Sequence, residues 1–483
     1  MVSVDLHAIA PEIALTVSLL AVLAIDLFLP NRFKVWNSAI SLAGIAGATI
    51  SLLTLIGERR TTFGEMFVVD GYALLFKFLF LAVGGLVVLM SITYLNEVVR
   101  ASQGEFYFLL LASLLGALVM PSARDLLALF VALETVTIPA FVMAGFKKSD
   151  ASSNEAAVKF FLIGVLASAV MLFGMSLIYG VARATNLSDI AVALQGRQDD
   201  PLVFASILLI VTGFAFKVSA VPFHFWAPDT YEGSPVPVAA FLSVASKAAG
   251  FVGLLSICFV AFPDHTKVWA PGFAILAAFT MTIGNVIALA QTNIVRLLAY
   301  SSVAQAGYML LPFAIVAGKS SDLQQEAFAS ALTYILIYSF MNLGAFAVVI
   351  AVGRKVGHEI DDYDGLAQRE PGLAFAMLLF MLSLAGMIPT AGFWAKFFVF
   401  RSAMGAGTLW LAGLMVLNTL IGLYYYLQVG ARMYLRPARE RTSLAVPVSI
   451  AVAVVLMVIL VGALTVYPDL FHHFSPRSTL VAL

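Results

Sequence analysis

The chain is poor in charge, in cysteine and in metal-ligand spacings. Only 11% of its 483 residues are charged and 61% are hydrophobic, where an ordinary soluble domain carries about 25% charge. A globule of this size with so few charges cannot cover itself in water, which excludes a water-soluble enzyme. Its one cysteine, Cys258, can form no internal disulfide and belongs to no C-x-x-C pair for zinc or an iron–sulfur cluster. None of the six histidines stand in an H-x-x-x-H spacing, so no helical metal or haem site is expected, and no redox centre in this chain. Lys plus Arg equals Asp plus Glu, 27 against 27. There is no basic surplus to suggest nucleic acid and no acidic tail. Residues 1–8 hold no Lys or Arg, so the positive start of a cleavable signal is missing and the first apolar stretch is expected to stay.

What the chain has instead is long apolar runs. A spanning helix needs about 20 mostly apolar residues. Fourteen such stretches fall near 9–29, 37–57, 72–95, 106–123, 125–145, 155–181, 202–222, 235–262, 270–291, 295–318, 327–352, 372–401, 407–433 and 444–467. The longest connections, 182–201 and 353–371, are polar. No linker separates two domains, so residues 1–483 read as one all-α membrane bundle. Lys and Arg lean toward the loops that put both termini on the outer side.

Two spans are interrupted. The seventh reads Phe216-Lys217-Val218-Ser219-Ala220-Val221-Pro222, the twelfth Gly386-Met387-Ile388-Pro389-Thr390-Ala391-Gly392. Proline removes a ladder hydrogen bond and clashes with the preceding turn. Breaks five spans apart are what an inverted five-helix repeat produces, with sites near the breaks.

The informative residues are charges inside the spans. One at the bilayer centre costs roughly 2.5–3.5 kcal/mol on insertion scales and usually marks an ion or proton path. Glu134 is mid-span, five residues before Pro139. Lys247 is near mid-span among small residues, Ser243-Val244-Ala245-Ser246-Lys247-Ala248-Ala249-Gly250, where snorkelling is hard. Lys217 lies five residues before Pro222 and Lys396 seven after Pro389, so both flank a break where backbone and water share the cost. Lys159, placed in the second turn of its helix, is either functional or snorkels. Lys77 and Asp26, nearer the ends of their spans, read as structural. His224, at the end of the broken seventh helix, either relays protons or is a plain interfacial histidine. Ser301, Gln305 and Tyr308 share one helix face, as do Tyr334, Tyr338 and Asn342. These faces either hydrate a path between Lys247 and Lys396 or glue helices together through hydrogen bonds. By its residues the protein moves protons or small cations.

The run from Phe216 to Pro235, with Tyr231-Glu232-Gly233-Ser234-Pro235-Val236-Pro237-Val238, resembles the signature of the antiporter-like subunits of respiratory complex I, the N-type subunit in particular. So do Glu155-Ala156-Ala157-Val158-Lys159-Phe160-Phe161 and the run Ser383 to Phe397. The resemblance covers essentially the whole chain. It implies fourteen transmembrane helices. Helices 1–3 would occupy 1–105, inverted repeats of helices 4–8 and 9–13 would occupy 106–262 and 270–433, and a last helix 444–467. Helices 7 and 12 would be broken. It implies that Glu134 and Lys217 form the charge pair of one half-channel, with Lys247 the central lysine and Lys396 the terminal one. Lys159 and His224 are secondary candidates. The M-type relative usually has a glutamate where Lys396 stands. The L-type relative has a long lateral C-terminal helix, whereas this chain stops about 16 residues after its last span; both differences favour N-type.

The resemblance further implies a translocase subunit of NADH:quinone oxidoreductase in the bacterial inner membrane. NADH, FMN, iron–sulfur clusters and quinone would belong to partner subunits. M-type, K-type and J-type membrane subunits and the lipid bilayer would be its neighbours, in a hetero-oligomer. Protonation of Lys217 and Lys247 would alternate, gated by the approach of Glu134. The rival readings are a subunit of an Mrp-type Na⁺/H⁺ antiporter, a related hydrogenase or ferredoxin-driven membrane arm, and a scaffold whose buried charges only pair with one another.

Overall fold

The computed structural model describes residues 4–98, 102–438 and 444–468. Its elements are helical except for one short hairpin. In chain order they begin with α1 (Ala10–Asp26), α2 (Trp36–Leu53), β1 (Arg60–Thr62), β2 (Phe67–Val69) and α3 (Gly71–Val98). There follow α4 (Gln103–Val119), α5 (Leu126–Ala144), α6 (Ala151–Ala182), α7 (Leu187–Ala193), α8 (Pro201–Lys217), α9 (Trp226–Gly233), α10 (Val236–Phe241) and α11 (Lys247–Ser256). The remainder are α12 (Thr266–Ala288), α13 (Ile294–Ala314), α14 (Ser321–Gly353), α15 (Leu366–Arg369), α16 (Pro371–Ala385), α17 (Ala391–Gly405), α18 (Leu409–Leu435) and α19 (Val448–Val466).

Eleven helices among the described residues are long and apolar enough to cross a membrane. In that count α10 and α11 belong to one rod, Val236–Ala261. Two further apolar helices, α8 and α16, are shorter because each stops at a break. The rod and α14 are buried along their spanning length. By contrast α5, α6, α18 and α19 expose Val131, Phe161, Leu166, Phe173, Leu420 and Ile459, the dress of helices that face lipid tails. One connected apolar core runs from Ala8 to Leu464.

Local chemistry sets the helix starts. The side chains of Asp125, Asp150, Asn186, Asp200 and Asn293 each accept from an amide of the first turn that follows, satisfying donors that a helix leaves orphaned. Asp150 also corrects a boundary. It starts α6 at Ala151, four residues before the apolar run, so Lys159 lies in the third turn and not the second. The polar segment Ser152-Ser153-Asn154-Glu155 is helical because it is capped. Likewise α14 begins at Ser321, six residues ahead of its apolar stretch. The two long connections are not bare loops, since α7 lies in one and α15 in the other. The hairpin β1–β2, antiparallel with Thr61 opposite Val68, had no signal in a chain read for spans.

One arrangement occurs twice. Asp125 caps α5 and bridges Asn186; Asn293 caps α13 and bridges Glu359. The flanking amides match: Leu126 to Thr185 and Leu187 to Arg124, then Ile294 to His358 and Ile360 to Thr292. Helices α4 and α5 meet at Gly116, where a Cβ would lie 2.6 Å from the Val136 nitrogen; α12 and α13 meet at Gly284, where it would lie 2.6 Å from the Ala304 nitrogen. Glu134 stands nine residues after its capping Asp125, and Ser302 nine residues after Asn293. The short C-terminal segment, residues 469–483, lies outside the described residues.

Candidate functional site

Both breaks are real gaps in the helical ladder. Helix α8 ends at Lys217, and α9 resumes at Trp226. Helix α16 ends at Ala385, and α17 resumes at Ala391. Backbone groups freed inside apolar surroundings need partners, and side chains supply them. Trp226 donates its indole N–H to the Phe216 carbonyl at 3.1 Å, and the Val221 amide donates to the Thr280 hydroxyl at 2.9 Å. At the second break the Gly392 amide donates to the Ser383 hydroxyl at 3.0 Å, and Lys396 Nζ donates to the Ala385 carbonyl at 2.9 Å. Gly386 closes α16 at φ +82, in the left-handed region where a Cβ is costly.

Lys217, Lys247 and Lys396 are all buried, and each ammonium is held by a different oxygen. Lys217 donates to the Thr137 hydroxyl at 2.6 Å. Lys247 donates to the Ser302 hydroxyl at 2.9 Å and to the Ser302 carbonyl at 2.8 Å. Lys396, besides its bond to Ala385, sits 4.7 Å over the Tyr308 ring. Glu134 accepts from the Ser168 hydroxyl at 2.5 Å. Glu134 and Thr137 stand three residues apart on α5, on one face. Lys217 therefore hangs one position along that face from the carboxylate. In this arrangement two hydroxyls hold the acid and the base, and the two are not in ion-pair contact.

Lys217 and Lys247 are linked through α11. A Cβ at Gly250 would lie 2.9 Å from Lys217 Cγ, so the α8 lysine packs on α11 one turn from Lys247. Lys247 follows directly on a π-helical turn, Leu242–Ser246; such bulges often mark functional positions. From Lys247 a polar line continues toward Lys396. Ser301, beside Ser302, bonds the Tyr426 hydroxyl. Gln305 Nε2 donates to that hydroxyl at 3.2 Å and to the Leu384 carbonyl at 3.0 Å, and Gln305 Oε1 accepts from Tyr334 at 2.5 Å. Leu384 adjoins Ala385, the residue that holds Lys396. A side branch joins Tyr308, Asn285 and Tyr425, with bonds of 3.1 and 2.9 Å. Tyr338 and Asn342 bond Ser243 at 3.2 and 2.9 Å.

Other sequence candidates lie off this line. Lys159 contacts Glu155 at 2.7 Å and Asp229 at 2.8 Å, and Arg296 joins Asp229 and Glu232 at 3.0 and 2.6 Å. His224 lies inside the first break, buried, with its Nδ1 lacking a partner. Asp26 is tied to Lys34 and Asn37 at the end of α1. Lys77 is fully buried against Glu12. Sequence reading missed Thr137, Ser168, Ser302, Asn285 and Tyr426. Hydroxyls in apolar helices are too common to stand out, although the run Tyr424-Tyr425-Tyr426 inside a span was a visible signal. Among the described residues no group of three or more His, Cys, Asp or Glu could hold a metal ion.

Residues 123–422, which contain all four of these charged groups, match the profile of the NADH:quinone oxidoreductase/Mrp antiporter transmembrane family. The chain belongs to that family. Within it, NADH-quinone oxidoreductase subunit N of Trichlorobacter lovleyi is 41% identical over 94% of this chain and 93% of its own length. A chain of respiratory complex I from Thermus thermophilus, solved with bound aureothin, superposes with a TM-score of 0.80 at 33% identity, covering 96% of this chain and 98% of that one. A chain of the Mrp complex from Dietzia sp. superposes with a TM-score of 0.85 at 19% identity, covering 98% and 97%. At that identity the likeness is one of fold.

Proposed function

We propose that this chain is the N-type membrane-arm subunit of a proton-translocating NADH:quinone oxidoreductase. Protons move along Glu134, Lys217, Lys247 and Lys396, driven by quinone reduction in other subunits. NADH, FMN, iron–sulfur clusters and quinone belong to those partners, and M-type, K-type and J-type subunits are its membrane neighbours. The single observation that carries the reading is the polar line from Lys247 through Ser302, Ser301, Tyr426 and Gln305 to the carbonyls beside Lys396. It sits in a chain whose relatives at about 40% identity are named subunit N.

The chain forms one polytopic domain of fourteen crossings in the bacterial inner membrane, with both termini on the outer side. The repeats are 106–262 and 270–433, after helices in 1–105 and before a last helix in 444–467. The matched caps and bridges at Asp125 and Asn293 support this symmetry. On that correspondence Ser302 occupies the place of Glu134. One half carries a carboxylate there and the other a neutral acceptor for the central lysine.

Charge separation explains how the row works. A carboxylate within about 4–6 Å of an ammonium stabilises the charged amine. With Glu134 on Ser168 and Lys217 on Thr137 the two are out of ion-pair contact, so that support is weaker than in a contact pair and Lys217 can pass its proton on toward Lys247. When Glu134 swings back, Lys217 is reloaded. Lys159 and His224 serve at the ends, where Lys159 reaches Asp229 on α9 and His224 lines the first break.

The test uses the assembled complex in proteoliposomes. Lys247→Ala is expected to cut NADH:quinone turnover and lower the proton-to-electron ratio. If both stay at their native values, Lys247 carries nothing and the row is wrong. If the native chain instead drives sodium-dependent proton flux with no electron donor and runs apart from NADH activity on a native gel, the protein is an Mrp-type antiporter subunit.

A further inference from the structure

Two buried ion pairs lie near the hairpin, and they are built differently. Asp70 and Arg124 meet at 2.8 Å. Asp70 also accepts from the Ala73 amide, and Arg124 also donates to the Pro121 and Ala123 carbonyls. This pair has the supporting hydrogen bonds that a buried salt bridge requires. Glu12 and Lys77 also approach to 2.8 Å, with Lys77 wholly buried and Glu12 7% exposed. Beyond this contact with each other, neither carboxylate oxygen nor the ammonium has a hydrogen-bond partner among the described residues. An ion pair stripped of such support costs several kcal/mol per ion, and a well-packed apolar pair would be cheaper. It persists in a chain where charge is scarce, in helices that lie outside the Glu134–Lys396 row.

Its position adds meaning. Glu12 is the third residue of α1 and Lys77 the seventh of α3. At 1.5 Å per residue both lie within about 10 Å of their helix starts. Helical side chains lean toward the N-terminus, and Lys77 accordingly reaches back to place Nζ 4.5 Å over the Phe67 ring of β2. The hairpin thus packs its Phe67 ring against the ammonium of the pair. Its outer side carries Asp5 and Glu58 on Arg60, whose guanidinium holds both carboxyls below their ordinary range; His7 lies there too, bonded to Thr54. Helices α2, α10 and α19 carry no charged residue. Helix α4 carries Glu105 at its far end, against Lys148. Helix α14 brings Asp322 and Glu326, the latter paired with Arg401.

We propose that Glu12 and Lys77 form a proton-binding site of their own, which exchanges one proton at the Glu12 carboxylate with the water layer on the hairpin side, past Phe67. Uptake converts carboxylate plus ammonium into carboxylic acid plus ammonium. Release restores the ion pair. The site rests on the reading that this chain translocates protons, and it stands apart from the Glu134–Lys396 row, near the starts of α1 and α3.

The experiment uses the intact complex. In acid-induced infrared difference spectra the native complex is expected to gain a carboxylic C=O band that Glu12→Gln loses and Glu12→Asp shifts. In proteoliposomes the double variant Glu12→Gln/Lys77→Met, which removes both charges while keeping size, is expected to lower the proton-to-electron ratio. A spectrum unchanged in Glu12→Gln, or a native ratio in the double variant, overturns the site. Should the double variant not assemble, the Glu12→Asp spectrum decides: an unshifted band overturns the proposal. Lys247→Ala run in parallel separates the cases. If that variant also behaves as native, the translocation reading itself has failed, and if it alone lowers the ratio, only the Glu12–Lys77 site has.

Discussion

The substitution Gly386→Ala tests whether the second break is built around Lys396. Gly386 has φ +82, and a Cβ there would lie 2.7 Å from Lys396 Cδ and 3.3 Å from Cε. A left-handed alanine costs about 1–2 kcal/mol. Carbon atoms rest at about 3.5–4.0 Å, so the lysine must retreat by about 1 Å. Its bond to the Ala385 carbonyl, 2.9 Å long, would then stretch past the hydrogen-bonding range. A bond to a charged group contributes about 1.5–3 kcal/mol. At 1.4 kcal/mol per decade, the population of correctly placed Lys396 falls about 10- to 150-fold. The backbone strain alone is a modest share of a typical stability of about 5–15 kcal/mol, so the complex is expected to assemble. The assay is NADH:quinone turnover and the proton-to-electron ratio in proteoliposomes, with assembly checked on a native gel. Turnover should drop about tenfold or more. Gly413→Ala is the control, since a Cβ there meets nothing within 4 Å, and it should behave as native. An assembled Gly386→Ala complex with native turnover and ratio would refute the link between the break and the lysine.

Gly250→Ala should act on the first break. The new methyl lies 2.9 Å from Lys217 Cγ and 3.1 Å from Val218 Cγ1, an overpacking of about 1–3 kcal/mol. Slower turnover in an assembled complex is expected, and unchanged kinetics would show that Lys217 moves freely there. Ser168→Ala removes the donor that holds Glu134 at 2.5 Å, a bond of about 1.5–3 kcal/mol. Glu134 should then close on Lys217 and keep it charged, slowing steady-state turnover with assembly unaffected; turnover at or above native would contradict the gating. Asp70→Asn leaves Arg124 buried without its counter-ion, a loss of about 3–5 kcal/mol. Its expected signature is a reduced yield of assembled complex and a lower melting temperature, and a native melting curve would show the pair to be dispensable.

Much of this was legible because the bilayer is so demanding a solvent. Few charges and long apolar runs determined a helical membrane protein, since only helices and closed barrels satisfy the backbone in hydrocarbon. Charges as rare as Glu134, Lys217, Lys247 and Lys396 stood out against that background. The prolines Pro222 and Pro389 marked both breaks because a missing amide has a local effect. Tertiary structure alone decided who meets whom. Thr137 and Ser302 look like any helix hydroxyls, each donating to a carbonyl of its own preceding turn, and only packing brings a lysine onto them and turns Ser168 onto a glutamate. Lys77 read as structural from its place near a span end. Its bare pairing with Glu12, 65 residues earlier in the chain, depends on how α1, α3 and the hairpin pack together. Hydrophobic period and charge cost are properties of one segment and can be read from it. The partner of a buried polar group is set by the approach of two segments, and no single segment encodes that.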